Sequence, residues 1–301
     1  MGTVVLSIDA ELAWGFHDLA DPPRGRIDSA RRGWLTLLEL LDQYGLPATW
    51  AVVGHLMLEE CDGRHVNHPA PPDWFPCASG EEWHAPDLVE AILDATVDHE
   101  LASHTFSHVQ FGKEWVTEEI VDAELLAHQD LADEWGIDLE SFVFPRNDVA
   151  FRHRLAEHGF TVYRGRRPRR WYERSPLRPI GKGAAAMTAA APPVVLPKVD
   201  EHGLVNVPAS VDLFGFEGAP KRMLEPFVGD PIVGIVKEGL DALDRHGGVL
   251  HGWLHPNNLT SPAAISRLEA IFSAVADARD THAIRVTTMQ GVANEELRRV
   301  A

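Results

Sequence analysis

The chain has 301 residues, of which 45% are hydrophobic and 24% charged, so it carries enough apolar material for a sizeable core. Its formal net charge of −18 disfavours nucleic acid as a partner and repels anionic lipid. The amino-terminal segment lacks the pattern of a secretory signal, and no window reaches the roughly 18 apolar residues of a membrane span. Cys61 and Cys77 form neither a Cys-x-x-Cys pair nor a disulfide framework. These features predict a cytoplasmic protein.

Short β-rich runs alternate with amphipathic helices along the chain. In chain order, the pattern predicts a strand at 3–8, a helix at 29–44, a strand at 48–53, a helix at 86–98, a strand at 101–103, a helix at 117–135, a strand at 141–144, a helix at 148–158, a strand at 161–163, a helix at 231–246, a strand at 249–254, a helix at 262–280 and a strand at 283–286. Repeated β-then-α units imply parallel strands with right-handed crossovers. About seven units predict an α/β barrel, formed as one domain over residues 1–301.

A long insertion at about 164–208 interrupts this pattern. Its first part is strongly basic for a chain of this net charge, with Arg164, Arg166, Arg167, Arg169, Arg170, Arg174, Arg178 and Lys182. In one interpretation these cations are solvated and paired with acidic neighbours. In the other, Arg167, Arg169 and Arg170 grip a phosphate-linked substrate by bidentate hydrogen bonds. The alanine-rich run at 183–191 gives a weak signal for contact with a membrane surface.

Three polar clusters follow predicted strands, at the edge where the catalytic groups of an α/β barrel collect. They are Asp-Ala-Glu at 9–11, His-Thr-Phe-Ser-His at 104–108 and His-Gly-Trp-Leu-His-Pro at 251–256. Imidazoles four residues apart, such as those of His104 and His108, can project to one side of a helical turn and bind one metal ion. A carboxylate from another strand would complete a site with positions open for water and substrate.

Such a site has the parts that amide hydrolysis needs. A bound divalent ion lowers the pKa of water toward ~7 and polarises a carbonyl. A second carboxylate can take the proton of the water, and a histidine can protonate the departing amine. Two histidines at this spacing are weak evidence in a chain with 16 histidines, so the prediction depends on all three clusters together.

With these motifs the sequence resembles the polysaccharide deacetylase family, also called carbohydrate esterase family 4. The run at 104–108 matches the family's His-[Ser/Thr]-x-x-His metal motif, and Val5–Glu11 stands where the family has Thr-Phe-Asp-Asp-Gly. Phe-Pro-Arg-Asn at 144–147 is similar to its arginine-proline motif, and Leu254-His255 to its late Leu-x-His. The resemblance runs from about residue 3 to 256. It implies a distorted (β/α)7 barrel similar to a TIM barrel and a metal-dependent hydrolase that removes an N-acetyl group from a carbohydrate.

The resemblance also implies roles for individual residues. The family has adjacent aspartates, whereas this chain has Ala10 at the second place and an acid one further on. By likeness to relatives with an Asp-x-Glu pattern, Asp9 is the catalytic base and Glu11, with His104 and His108, holds a divalent metal ion, with zinc as the default. Asp9 as the ligand stays an alternative, and Glu11 could instead close the strand end by turn hydrogen bonds.

The late histidines and the arginine-proline motif complete the expected site. His251 and His255 are an even number of residues apart and share a strand face. We favour His255 as the general acid because it stands at the carboxyl end of the strand, where a barrel active site opens. Arg146 would hold Asp9 ionised, and Asn147 with nearby backbone N–H groups would bind substrate and stabilise the oxyanion.

Two aromatic residues lie near the predicted clusters in the sequence. Trp14 and Trp253 could stack on a sugar ring or belong to the core, and we weigh the two interpretations equally.

The closest rival function is a metal-independent hydrolase of a cyclic ureide or small amide with the same fold. A carbohydrate-binding pseudoenzyme is the other, favoured by the departure at Ala10 and disfavoured by the presence of Asp9.

Overall fold

The structure is a computed structural model that describes residues 1–76, 78–166, 193–215 and 229–300. Its strands are β1 Gly2–Ala10, β2 Thr49–Val52, β3 Glu100–Ser103, β4 Ser141–Val143, β5 Val162–Arg164, β6 Lys198–Val199, β7 Val205–Asn206, β8 Val211–Asp212, β9 Gly248–Leu254 and β10 Ile284–Thr287. Its helices are α1 Arg24–Tyr44, α2 Pro86–Leu93, α3 Glu118–Glu134, α4 Arg152–Glu157, α5 Pro231–His246, α6 Pro262–Thr281 and α7 Met289–Val300. No helix among these residues is long and apolar enough to cross a membrane.

The strands form one curled sheet in the order β6-β7-β5-β4-β3-β2-β1-β9-β8, with β10 beside β1. The described pairings are parallel, except that of β6 with β7 and an isolated bridge between Val195 and Val249. Parallel strands linked by helices confirm the predicted α/β fold of the distorted barrel type. The carboxyl ends of the strands therefore meet at one rim.

A single stretch of chain brings the two edges of the sheet together. The N–H groups of Val205, Val207 and Ala209 donate to carbonyls of residues 161, 163 and 165 on the β5 side. The N–H groups of Ser210 and Leu213 donate to carbonyls of residues 251 and 253 on β9. We call residues 205–213 the closing segment, because they pair with both edges at different heights.

The alternation of side chains along β1 decides which residues reach the barrel interior. Leu6, Ile8 and Ala10 belong to the core cluster that also contains the apolar face of α1. Ser7 and Asp9, on the opposite face, point inward to polar partners. Successive residues of a strand face opposite sides, so a carboxylate at position 10 would point toward the helices. Acidic residues two positions apart, such as Asp9 and Glu11, can therefore point to the same side.

Most predicted elements are present with shifted ends. The helix predicted at 148–158 is shorter, because Phe151 has a left-handed backbone at φ 51° and the helix begins after it. The helix predicted at 86–98 ends at Leu93. Helix α7 was not predicted. Within the expected insertion at 164–208, Arg164 ends β5 and residues 198–206 contain β6 and β7, while residues 167–192 lie outside the described ranges. That residues 1–301 form one domain stays a prediction.

Candidate active site

Glu11, His104 and His108 come together at the rim of the barrel. Glu11 directly follows β1, and the histidines lie in the loop after β3. His108 Nε2 lies 3.1 Å and His104 Nε2 3.6 Å from Glu11 Oε2. One donor atom from each of the three residues lies within 4.8 Å of the others, and all three side chains are buried. The sequence prediction that these residues share one site agrees with this geometry.

His104 and His108 point to the same site, but a helical turn between them is not the reason. The loop at 104–108 is irregular, and Thr105 and His108 have left-handed backbones at φ 63° and 61°. The expectation of a helical turn between them is therefore wrong. A left-handed conformation costs an L-residue roughly 1–2 kcal/mol, so the surrounding structure must hold this loop.

The chemistry of the three side chains fits a divalent metal ion. His104 Nδ1 lies 2.8 Å from the Val143 carbonyl oxygen, which fixes the proton on Nδ1 and leaves a lone pair on Nε2. Within the described part of the chain, that buried Nε2 has no hydrogen-bond partner. Two imidazoles and one carboxylate form a common set for zinc, with positions left for water and substrate.

The electrostatics keep this set in the form that binds a cation. Burial alone would raise the pKa of Glu11, but electrostatic interaction with His255 and the nearby His104 and His108 side chains hold that pKa well below its ordinary value. Burial lowers the pKa of His108 to about 4, although Glu11 opposes the shift. At neutral pH the site therefore contains a carboxylate and a neutral imidazole.

Asp9 is held by Arg164, and the prediction that Arg146 holds it is wrong. Arg164 Nη1 and Nη2 donate to Asp9 Oδ1 and Oδ2 at 2.5 and 2.7 Å, and both side chains are buried. Burial would raise the pKa of Asp9, but Arg164 outweighs it and the pKa lies below the ordinary value. Arg146 instead donates to Asp18 at 2.7 Å and to the Gly15 carbonyl at 2.9 Å. The short 3-10 turn Pro145–Asn147 after β4 directs Arg146 toward the loop that follows β1.

A chain of hydrogen bonds continues from Arg164 to the fully buried His251. Arg164 Nη1 donates to Ser7 Oγ at 3.0 Å, and Ser7 Oγ lies 2.9 Å from His251 Nε2. His251 Nδ1 lies 3.2 Å from the carbonyl of Val207, so Nδ1 carries the proton and Nε2 accepts from the serine. Burial lowers the pKa of His251 to about 3, which keeps the ring neutral.

His255 lies on the open side of the same carboxylates. Its Nε2 is 3.4 Å from Glu11 Oε1 and 3.7 Å from Asp9 Oδ2, and a quarter of its side chain is exposed. Trp253 packs edge to face on His255 and over the guanidinium of Arg164 at 4.9 Å. Of the two late histidines, only His255 has both access to solvent and proximity to the three proposed metal-binding side chains.

The structure bears on three expectations about substrate contacts, those for Trp14, for the Asn147 side chain and for the backbone N–H groups near Asn147. Trp14 is 2% exposed and donates to the Trp83 carbonyl at 2.9 Å, so it belongs to the core and cannot stack on a sugar. The side chain of Asn147 accepts from Arg164 at 3.2 Å. The N–H groups of residues 147, 148 and 149 close local turns, donating to the carbonyls of residues 144, 145 and 147. They are therefore not free to stabilise an oxyanion.

Arg166 belongs to the basic stretch, and Asp212 lies beside Trp253 of β9. Arg166 donates to Asp148 at 2.7 Å and to the Asn147 carbonyl at 2.9 Å, as the interpretation of paired surface cations expects. Arg167, Arg169 and Arg170 lie outside the described residues. Asp212, which the sequence analysis did not identify, pairs in register with Trp253. Burial raises the pKa of Asp212, while a hydrogen bond from the Phe214 N–H opposes the shift. No sequence motif marked this aspartate within the irregular stretch.

Backbone strain is concentrated around these side chains. Among the described residues, the non-glycine positions with positive φ are Leu12, Thr105, His108, Arg146, Asn147 and Phe151. All of them follow β1, β3 or β4 at the carboxyl rim. Strained backbone clusters at functional sites because the surrounding structure must hold it in place. The rim is therefore the best candidate for an active site.

Comparison with known proteins agrees with this location. The sequence profile of the polysaccharide deacetylase family matches residues 25–162, which include both histidines of the loop after β3. A protein of Mycobacterium smegmatis assigned as a polysaccharide deacetylase has a similar structure, with a TM-score of 0.61, 18% identity, and 99% of this chain and 90% of that chain covered. A second protein assigned as a polysaccharide deacetylase, from Pseudomonas aeruginosa PAO1, has a TM-score of 0.63 and 14% identity. The match covers 98% of this chain and 91% of that chain.

PuuE allantoinase is similar to the same degree, with a TM-score of 0.62, 15% identity, and 97% and 89% of the two chains covered. No curated protein matches this chain. At these identities the solved structures show the fold, while the family profile carries the sequence relationship. The family profile confirms the resemblance that the motifs indicate: over residues 25–162 the chain is similar to the polysaccharide deacetylase family.

Proposed function

We propose that the protein is a metal-dependent hydrolase that removes an N-acyl group, acetyl in the simplest case, from an amino sugar. The observation that carries this proposal is the buried group of Glu11, His104 and His108, with Asp9 and His255 beside it. An acid, a base and a cation site close together are the parts that amide hydrolysis requires. The family match supports a hydrolase that acts on such amide bonds.

In this proposal Glu11, His104 and His108 hold the metal ion, with zinc as the best candidate for the set. When bound, such an ion supplies a Lewis acid that acidifies water and polarises the acyl carbonyl. Asp9 takes the proton of the attacking water, and Arg164 keeps Asp9 ionised and oriented. His255 donates a proton to the nitrogen of the leaving amine, and Trp253 offers an apolar face beside it.

The ion pair with Arg164 suits the role proposed for Asp9. A buried carboxylate without a cation would be protonated near neutral pH and could not act as a base. Arg164 donates to both oxygens of Asp9, so the carboxylate is ionised in a fixed orientation. Its Oδ2 faces the Nε2 atom of His255 at 3.7 Å, so base and acid flank the same small volume.

The phosphate-linked substrate remains part of the proposal and depends on the basic stretch. If Arg167, Arg169 and Arg170 bind a phosphate, changing all three to Ser raises KM for an anionic N-acetyl sugar and spares a neutral one. The matched control is Arg166→Ser, because Arg166 is paired with Asp148. Equal losses on both substrates in the triple variant contradict phosphate recognition.

A second candidate function, hydrolysis of a cyclic ureide or small amide, is favoured by one observation. The fold is as similar to PuuE allantoinase as to the two assigned deacetylases. The buried three-residue set argues for metal dependence in either case. Assays with N-acetylated amino sugars and with allantoin in parallel separate the two functions.

Metal content is the decisive first measurement. Elemental analysis of protein purified without added metal should find near-stoichiometric zinc or another transition metal in wild type, and loss in both Glu11→Ala and His104→Ala. His153→Ala is the matched control, since His153 is at the surface and pairs with Glu118. Metal lost only in the histidine variant makes Asp9 the next candidate ligand. A wild type without metal after reconstitution contradicts the proposal and favours a metal-independent hydrolase or a binding protein.

A further inference from the structure

Helix α3 carries two polar side chains that are fully buried although neither belongs to the proposed chemistry. Glu124 and His128 are one helical turn apart, so they share a face of the helix. That face packs beneath the loop between the two proposed metal-binding histidines. Polar groups of this kind are rarely buried without partners. Glu124 makes hydrogen bonds to this loop, and His128 makes one to Ser103, the residue that precedes it.

Glu124 holds the middle of the loop. Its Oε2 accepts from the Ser107 N–H at 2.8 Å, and its Oε1 accepts from the Ser107 hydroxyl at 2.5 Å. Within the described residues its ion-pair contact is His68, at 3.3 Å, and burial lowers the pKa of His68 to about 4, so that ring is neutral. Glu124 is therefore buried without a permanent cation, which is costly for a carboxylate that has only a packing role.

His128 holds the beginning of the same loop through a serine. Its Nδ1 lies 2.9 Å from Ser103 Oγ, and Ser103 Oγ accepts from the Thr105 N–H at 3.2 Å. Burial lowers the pKa of His128 to about 3, so the ring is neutral and its Nδ1 can accept the serine proton. This bond fixes Thr105, one of the two left-handed residues of the loop.

The other backbone groups of the loop are also held by the surrounding structure. The Thr105 carbonyl accepts from the Gly54 N–H, and the Phe106 carbonyl accepts from His55, both at 3.0 Å. The Ser107 carbonyl accepts from Trp74 Nε1 at 3.0 Å. Among these contacts, Glu124 supplies the acceptor for the N–H of the residue that precedes His108. The left-handed turn at His108 starts from that anchored residue.

We propose that Glu124 and His128 are positioning residues that hold the loop at 104–108 in the strained shape that directs both imidazoles at one metal ion. The inference rests on the metal site of the proposed function. Glu124 acts through Ser107 and His128 through Ser103, so neither touches the metal or the substrate. Partners of this kind typically change metal affinity by about 10- to 100-fold when they are removed.

Zinc affinity tests this inference without knowledge of the substrate. Apoprotein is titrated with zinc in competition with a chromophoric chelator, and apoprotein melting temperatures are recorded in parallel. Glu124→Met keeps the length of the side chain but removes both acceptors, and should weaken zinc binding about 10- to 100-fold. Glu124→Gln keeps an acceptor for the Ser107 N–H and should retain most of the affinity. Glu119→Met, on the exposed face of α3, is the matched control.

The outcomes separate this inference from the proposed function. Weaker zinc binding in Glu124→Met with rescue in Glu124→Gln supports it, whereas equal affinity in Glu124→Met and wild type overturns it. If Glu124→Met does not fold, Ser107→Ala replaces it: weaker binding supports the inference and unchanged binding overturns it. A wild type that binds no zinc overturns the metal site itself, and this inference with it.

Discussion

The carboxylate of Glu11 occupies the space that a side chain on Gly15 would need, since a Cβ there would lie 2.1 Å from Glu11 Oε1. Both residues are buried in the loop that follows β1. The absence of a side chain at position 15 therefore decides where the Glu11 carboxylate can lie. This relationship would not be visible in a motif that contains only the acids and histidines.

We expect Gly15→Ala to displace Glu11 and to lower zinc affinity at least about 10-fold, as the loss of a well-oriented ligand does. Chelator competition on the apoprotein measures this directly. Gly25→Ala is the control, because a Cβ at Gly25 meets nothing within 4 Å. Unchanged zinc affinity in Gly15→Ala would show that Glu11 is not a ligand or moves without loss.

Arg164 and Arg146 should differ in their effect on the pH dependence of activity. In Arg164→Gln the desolvation of Asp9 remains while its cation is lost, so the pKa of Asp9 rises and the acid limb of kcat/KM moves up by about 1–3 pH units. Removing one partner of a buried ion pair should also lower the free energy of unfolding by about 3–5 kcal/mol.

Arg146→Gln is the matched control for this experiment. Arg146 contacts Asp18 and not Asp9, so the acid limb should stay at its wild-type pH in this variant. A shift in Arg146→Gln, with none in Arg164→Gln, would restore the interpretation drawn from the sequence motif.

Substitutions at His255 and at His251 should have different effects on kcat. His255→Gln removes the proposed general acid, and kcat should fall about 10²- to 10⁴-fold while zinc content stays at the wild-type level. His251→Gln alters a buried bond to Ser7 and should cause a smaller loss in kcat. Single-turnover and steady-state assays on the identified substrate make the comparison. A larger loss in His251→Gln would reverse the assignment.

Glu124 should make the stability of the apoprotein depend on pH. Burial raises its pKa from 4.5 to about 7, so the folded protein holds a proton that the unfolded chain releases. The stability that this proton confers is fully present below about pH 4.5 and is lost as the pH rises to about 7. At about 1.4 kcal/mol per pKa unit, the loss is on the order of 3 kcal/mol.

Urea unfolding of wild type and Glu124→Gln at pH 5 and pH 7.5, with a chelator present, checks this expectation. The decline in the free energy of unfolding over this range should be smaller in Glu124→Gln. The same decline in both proteins would show that Glu124 keeps an ordinary pKa in the fold.

The parts of the fold that the sequence predicted are those with strong local signals. Strand β1 and helices α1, α3, α5 and α6 have long apolar patterns with capping residues, such as Thr117, whose hydroxyl accepts from the Ile120 N–H. The grouping of Glu11 with His104 and His108 followed from their positions after strands, because parallel strands bring their carboxyl ends to one rim. Short strands within 193–215 lack such patterns and were missed.

Arg164 shows why the remaining contacts could not be predicted. It is 155 residues from Asp9 in the chain, and it stood in a run of arginines that indicated a surface cluster. Only the closed sheet brings β5 opposite β1. Trp14 was misjudged for a similar reason, since the sequence does not reveal that the loop after β1 folds back under Trp83.

The closing segment has a consequence for how the protein loses activity. Residues 205–213 join the edge that carries Arg164 to the edge formed by β9. Strand β9 pairs with β1, the strand that carries Asp9, over residues 2–8. Each of its two regular pairings covers only two residues, so few main-chain hydrogen bonds hold this junction. Partial opening there would separate the proposed base from its cation while β1 to β5 and most helices stay intact. Heating should therefore inactivate the protein before its helical circular dichroism is lost.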